Sequence, residues 1–198
     1  MRILSIDFDY FIDTDMETRM TCFPDGHDDL SSRMTDILWD SRYKFHENLK
    51  DIGLIEDYNK MCSFLKKLKS GRVLFADSHK DIQHFFQAIN HKEDLELINI
   101  DFHHDMYITG GDTLDCGNWL RFLIDLKPDT KVTWVRREDS DVESLSGTFP
   151  YYHTTDISEV KGEFDLIFIC FSSPWTPPHL FQKYLVMCSN LVNNKLYY

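Results

Sequence analysis

Two short patterns in this sequence gather residues that titrate and bind metals. Asp7-x-Asp9 lies in "SIDFDYF", and Asp101-x-His103-x-Asp105 lies in "LELINIDFHHDMY". A further histidine, His79, follows "LFADS". In an extended chain, residues at i, i+2 and i+4 share a face. Asp101, His103 and Asp105 can therefore meet one target, and so can Asp7 and Asp9. Four carboxylates in one place repel each other strongly. A pair of divalent cations is the simplest neutraliser. Carboxylate plus imidazole, without thiolate, suits Mn²⁺ or a similar metal better than structural zinc. A lone Asp after a strand is more often a turn residue or a helix cap, and Asp13 and Asp77 read that way. His46, His84 and His91, on helical stretches, read as surface or packing residues.

The elements that must position these groups follow from periodicity. "RILSID" (2–7), "RVLFAD" (72–77), "LELINID" (95–101), "KVTWVR" (131–136) and "FDLIFICF" (164–171) read as strands. Helical patterns occupy 31–50, 56–69, 80–91, 117–127 and 177–192, and Gly71 stands where the second helix should stop. The stretch 13–29 reads as a polar loop, with turn chemistry at Pro24, Asp25 and Gly26. Residues 137–163 are polar and weakly patterned, an excursion from the core. Strands alternating with helices predict an α/β fold, a three-layer α/β/α sandwich with a mostly parallel sheet. In such sheets ligands bind beyond the carboxyl ends of the strands. Asp7 and Asp9, His79, and Asp101 to Asp105 all follow strand ends, so one edge can collect them.

Composition narrows the function classes. The chain has 198 residues, 42% of them hydrophobic, a size and balance that support one globular core. Its formal net charge of −12 argues against nonspecific nucleic-acid binding, which needs clustered Lys and Arg. The five cysteines lack paired spacing, which argues against a disulfide framework or a zinc ribbon. Two aspartates within the first nine residues do not suit a signal peptide, and no apolar run approaches the roughly 20 residues of a membrane span. The expectation is a cytoplasmic protein with no membrane partner.

At these residues the sequence resembles the arginase–deacetylase (ureohydrolase) superfamily. Its members carry a DxHxD motif after a central strand, a His at the end of another and a DxD pair at a third. Here the matches are Asp101-x-His103-x-Asp105, His79 and Asp7-x-Asp9. "CGNWL" (116–120) is similar to the superfamily's Gly-Asn segment, and the closest likeness is to the small peptide arginase branch. The likeness covers the first strand, residues 73–120 and, loosely, "FSSPWTPP" (171–178). Classical arginases are longer and place the DxD pair late. The His that follows their Gly-Asn segment has no counterpart, since Leu120 stands nearest.

The resemblance implies one arginase-like domain over 1–198, acting on an arginine-containing peptide. It implies two Mn²⁺ ions, one held by His79, Asp101, Asp105 and Asp7, the other by Asp101, His103, Asp7 and Asp9. Such a pair makes hydroxide available near neutral pH for attack on the guanidinium carbon, giving ornithine and urea. His104, His153 and His27 are the candidate proton donors; His104 is adjacent to the ligands, and strand alternation turns it away from His103. Asn118 is a candidate for substrate binding or for capping the helix at 117–127. Trp175 is a candidate platform for a guanidinium, by cation–π attraction, or a packed aromatic between Pro174 and Pro177. Asp25, Asp28 and Asp29 form an acidic run that could receive a cationic peptide or merely be solvated.

Other classes remain open at this point. A deacetylase of the same superfamily would hold one Zn²⁺ through Asp, His and Asp and use a tandem His pair. A binding protein could keep the fold without catalysis. A phosphatase reading of "DFDYF" lacks a basic residue and a Gly-rich phosphate loop nearby.

Overall fold

The computed structural model describes residues 1–23, 30–90, 93–108, 113–145 and 151–192. The turn at Pro24–Gly26, His27, Asp28, Asp29 and His91 lie outside these. The fold is α/β, with a six-stranded sheet in which every pairing is parallel. Its order is β2 (Ser70–Ala76), β6 (Phe164–Cys170), β1 (Arg2–Asp7), β3 (Glu96–Ile100), β4 (Lys131–Val135) and β5 (Tyr151–Thr154). From β1 the chain passes to β2 at one edge, whereas from β3 it passes to β4 on the opposite side. The winding reverses at the β1–β3 pair, which is where open α/β sheets form a crevice.

Alternation along the central strands explains how both faces are covered. Leu4 and Ile6 of β1, Ile98 and Ile100 of β3, and Ile167 and Ile169 of β6 face one layer. There they meet Tyr58, Met61 and Leu65 of α3 (Asp57–Leu65) and Tyr184, Met187 and Leu191 of α5 (Phe181–Val192). Ile3, Leu97, Leu166 and Phe168 face the other layer. Here α4 (Trp119–Leu126) supplies Trp119, Leu120 and Leu123, and the 3-10 segment His79–Ala88 supplies Ile82 and Phe85. A third cluster, with Cys22, Phe23, Trp39 and Leu49, joins α1 (Met16–Cys22) to α2 (Ser32–Phe45).

Four local expectations change. Residues 13–29 are not all loop: Asp15 accepts a hydrogen bond from the Thr18 N–H and starts α1. The excursion 137–163 contains a sixth strand, β5, paired with β4 at the sheet edge. The stretch after β2 is a 3-10 helix rather than an α-helix. Gly71 lies inside β2, where a Cβ would collide with the Asp165 carbonyl of the neighbouring strand; close backbone approach, not helix termination, requires glycine there. None of the five cysteines is in a disulfide. No helix among the described residues is long and apolar enough to cross a membrane.

Candidate metal centre

Asp7, Asp9, His79, Asp101, His103 and Asp105 converge beyond the carboxyl ends of β1, β2 and β3. The convergence begins with a shared local device. Asp7 accepts a hydrogen bond from the Asp9 N–H (3.0 Å), and Asp101 accepts one from the His103 N–H (2.8 Å). Each is an Asx-type turn that bends the chain just after its strand and turns residue i+2 back toward the sheet edge. The alternation expected from sequence groups the right side chains. The backbone that delivers them, however, is turn rather than strand after Ile100. Asp105 completes the set from a left-handed conformation (φ 52°), tolerable for Asp.

The distances are those of a site built for positive charge. His79 Nδ1 lies 3.2 Å from Asp7 Oδ2, 3.1 Å from Asp101 Oδ2 and 3.1 Å from Asp105 Oδ2. His103 Nδ1 lies 3.3 Å from Asp9 Oδ2 and 3.8 Å from Asp101 Oδ1. His79, Asp9, Asp101 and Asp105 are nearly inaccessible to solvent. Yet Asp9 Oδ1, His79 Nδ1 and Asp101 Oδ2 are buried without a hydrogen-bond partner of acceptable geometry. Orphaned buried donors and acceptors are costly, of order 1–3 kcal/mol each, and their concentration here fits a cation. Two sets of ligand atoms are close enough to hold one: His79, Asp101 and Asp105, and Asp9, Asp101 and His103, with Asp101 common to both. Cys170 forms a third set with Asp7 and His79.

Electrostatics expresses the same crowding. Burial, reinforced by Asp9 and Asp101, raises the pKa of Asp7. Burial and then Asp105 raise that of Asp101. Burial would also raise Asp9, but His103 and Arg19 outweigh it and hold the carboxyl below its ordinary value. Burial opposes the charged form of both histidines. The surrounding carboxylates prevail, raising His79 well above its usual value and His103 to about 9. Without a cation, protons partly fill the role of neutralising charge.

Residues that sequence spacing could not reveal hold the candidate ligands in place. Ser5 Oγ bonds His79 Nε2 at 2.7 Å, fixing the ring so that Nδ1 faces the carboxylates. The His79 ring stacks on Phe168 (5.5 Å, 11°) and lies against Trp119 (4.7 Å, 35°). Trp119, fully buried, donates its indole N–H to Asp105 Oδ2. Ser172, with φ 53°, donates to Asp7 Oδ2 at 2.6 Å. Asp105 and Ser172 are the two described non-glycine residues with positive φ, and both serve this site. Arg19, from α1, pairs with Asp9 Oδ2 at 3.3 Å. The "W" of "CGNWL" and the first serine of "FSSPW" reach partners 14 and 165 residues away, outside any local spacing pattern.

The centre opens into a cavity of about 230 Å³ lined by Asp7, Asp9, His103, Asp105, Tyr107, Cys116, Gly117, Ser172 and Trp175. Trp175 is half-buried on this wall. Its loop is anchored from α2, where Trp39 Nε1 donates to Ser173 O (2.7 Å) and Arg42 donates to Pro174 O. Asn118 is fully buried and does not reach this wall. Its Oδ1 accepts the Asp115 N–H (2.8 Å) and its Nδ2 donates to Thr113 O (3.0 Å), so it staples the loop before α4 without a side-chain cap bond to that helix.

Two of the three candidate proton donors, His104 and His153, are placed elsewhere, and His27 lies outside the described residues. His104 Nδ1 accepts the Met106 N–H (2.9 Å) and Nε2 bonds Ser144 Oγ (2.7 Å). Burial lowers its pKa to about 4, so it is a neutral ring fixed behind the ligand segment. His153 is on β5 rather than in a loop, exposed, and accepts from Arg136 Nε at 3.2 Å. Neither lines the cavity. Asp77 ties β2 to the loop after β6 through the Ser173 N–H and Oγ.

No known protein family, characterised protein or solved structure matches this chain in comparison.

Proposed function

We propose that the protein is a binuclear metal-dependent hydrolase of arginase type that converts arginine residues of a peptide to ornithine, releasing urea. The observation that carries this reading is the pair of ligand sets sharing Asp101, at the floor of a cavity with an indole on its wall. His79, Asp101, Asp105 and Asp7 would hold one Mn²⁺, and Asp9, Asp101 and His103 the other. Bound there, two divalent cations supply an activated water near neutral pH and stabilise negative charge developing in the transition state. The chain's own residues do the rest. Trp175 offers a face to a planar cation, worth about 0.5–2 kcal/mol. Ser5, Trp119 and Ser172 fix the ligand groups so that little reorganisation accompanies reaction.

A one-ion amide hydrolase is the second reading, and one observation favours it: Asp9 is already paired with Arg19, whereas the His79–Asp101–Asp105 set has no such competitor. The test is incubation of purified protein and Mn²⁺ with arginine-containing peptides, acetyl-lysine peptides and free arginine. Loss of CN₂H₂ by mass, with urea released, supports the guanidino hydrolase, and Asp101→Asn should abolish it. Deacetylation alone supports the second reading. Urea from free arginine with unchanged peptides would reverse the substrate preference.

A further inference from the structure

Arg19 occupies a place that a second cation would also want. It is buried, with its guanidinium 3.8 Å over the Phe102 ring. Nη2 donates to the Asp9 carbonyl at 2.7 Å, and Nη1 lies 3.3 Å from Asp9 Oδ2. That same oxygen is 3.3 Å from His103 Nδ1. The ring below and the carbonyl bond hold the guanidinium against Asp9. The other ligand set is different. The non-ligand groups that position it, Ser5, Trp119 and Ser172, are all neutral.

We propose that Arg19 is a built-in cation that makes the two metal positions unequal, so that one ion binds firmly at His79–Asp101–Asp105 and the second binds weakly at Asp9–Asp101–His103. Four carboxylates carry four negative charges; one divalent ion and Arg19 leave the centre at −1, and a second ion takes it to +1. The filled centre, which the proposed hydrolysis uses, is reached only at higher divalent-ion concentration. The second ion is then an exchangeable component through which metal supply sets activity. This inference rests on the metal-centre reading.

The test is calorimetric titration of the metal-free, full-length protein with MnCl₂, with electron paramagnetic resonance to count free ion. Wild-type protein should show two separate steps. Arg19→Gln removes the charge and keeps a shorter, polar amide side chain. It should tighten the second step about tenfold or more, since a unit charge is deleted within a few ångströms of the ion, and leave the first nearly unchanged. Arg19→Lys keeps the charge and should keep the wild-type separation. Two coincident steps in wild-type protein would overturn this inference alone, as would a second step that Arg19→Gln leaves unchanged or weakens. No Mn²⁺ uptake would overturn the metal centre as well. Coincident steps in the wild-type titration overturn the inference even if a variant does not fold.

Discussion

Trp119→Phe should separate ligand positioning from core packing. The indole N–H donates to Asp105 Oδ2, and the ring lies 4.7 Å from His79. Phenylalanine keeps an aromatic face for His79 but deletes the donor, leaving Asp105 free to turn. Loss of a hydrogen bond to a charged group costs about 1.5–3 kcal/mol. Outer-shell partners of metal ligands are typically worth about 10–100-fold in metal affinity, or roughly 1.4–2.7 kcal/mol. The smaller ring also leaves a void in a fully buried position, so the melting temperature of metal-free protein should fall as well. The assay is Mn²⁺ affinity by calorimetry, beside thermal melts with and without chelator. The expected result is affinity weakened about 10–100-fold, with Mn²⁺ raising the melting temperature less than in wild-type protein. A melting temperature that drops while Mn²⁺ affinity stays within about twofold would refute the reasoning, because Trp119 would then be packing alone.

Three further outcomes follow from the same geometry. The pKa values of Asp7 and Asp101 are raised to about 6 and about 8, and that of His103 to about 9, so each group favours its protonated form in the fold. Their stabilising contributions are present at low pH and lost as pH rises through the folded values. Metal-free protein should therefore melt at lower temperature as pH rises from about 6 to about 9, and Mn²⁺ should stabilise more at the upper end, where fewer protons compete. A metal-free melting temperature that rises across that window would contradict this. His104→Gln should lower stability by about 1–3 kcal/mol by disturbing its bonds to Met106 and Ser144, yet leave hydrolysis within about tenfold; a loss of several orders of magnitude would restore it as a proton donor. Trp175→Ala should raise KM for a guanidino substrate about 2–30-fold, as expected for one lost cation–π contact, with metal content unchanged; an unchanged KM would remove Trp175 from the substrate's path.

Much of the fold is legible in the sequence because its central strands are buried on both faces. "RILSID", "LELINID" and "FDLIFICF" are apolar runs with no competing helical reading, and they became β1, β3 and β6. "YYHT" is a four-residue edge strand with Tyr152 and His153 exposed, so it carries no burial signal, and β5 went unread. The seven residues of α1 sit in a polar stretch whose helical cue, Asp15 as cap, is a single side chain. At the site, the i, i+2 spacing pointed to Asp7 with Asp9 and to Asp101 with His103 because the Asx turns that aim them are local. Arg19, Trp119 and Ser172 meet their carboxylates 10, 14 and 165 residues away through the tertiary fold, which no i, i+2 spacing encodes. His104 and His153 looked like proton donors by residue type. The first is held by Met106 and Ser144, and the second lies at the sheet edge beside Trp134.

Anomalous diffraction from crystals equilibrated with saturating Mn²⁺ tests the binuclear centre most directly. Two manganese peaks should appear, one among His79, Asp101 and Asp105 and one among Asp9, Asp101 and His103. A map with manganese at only one of the two groups, or at neither, would contradict it.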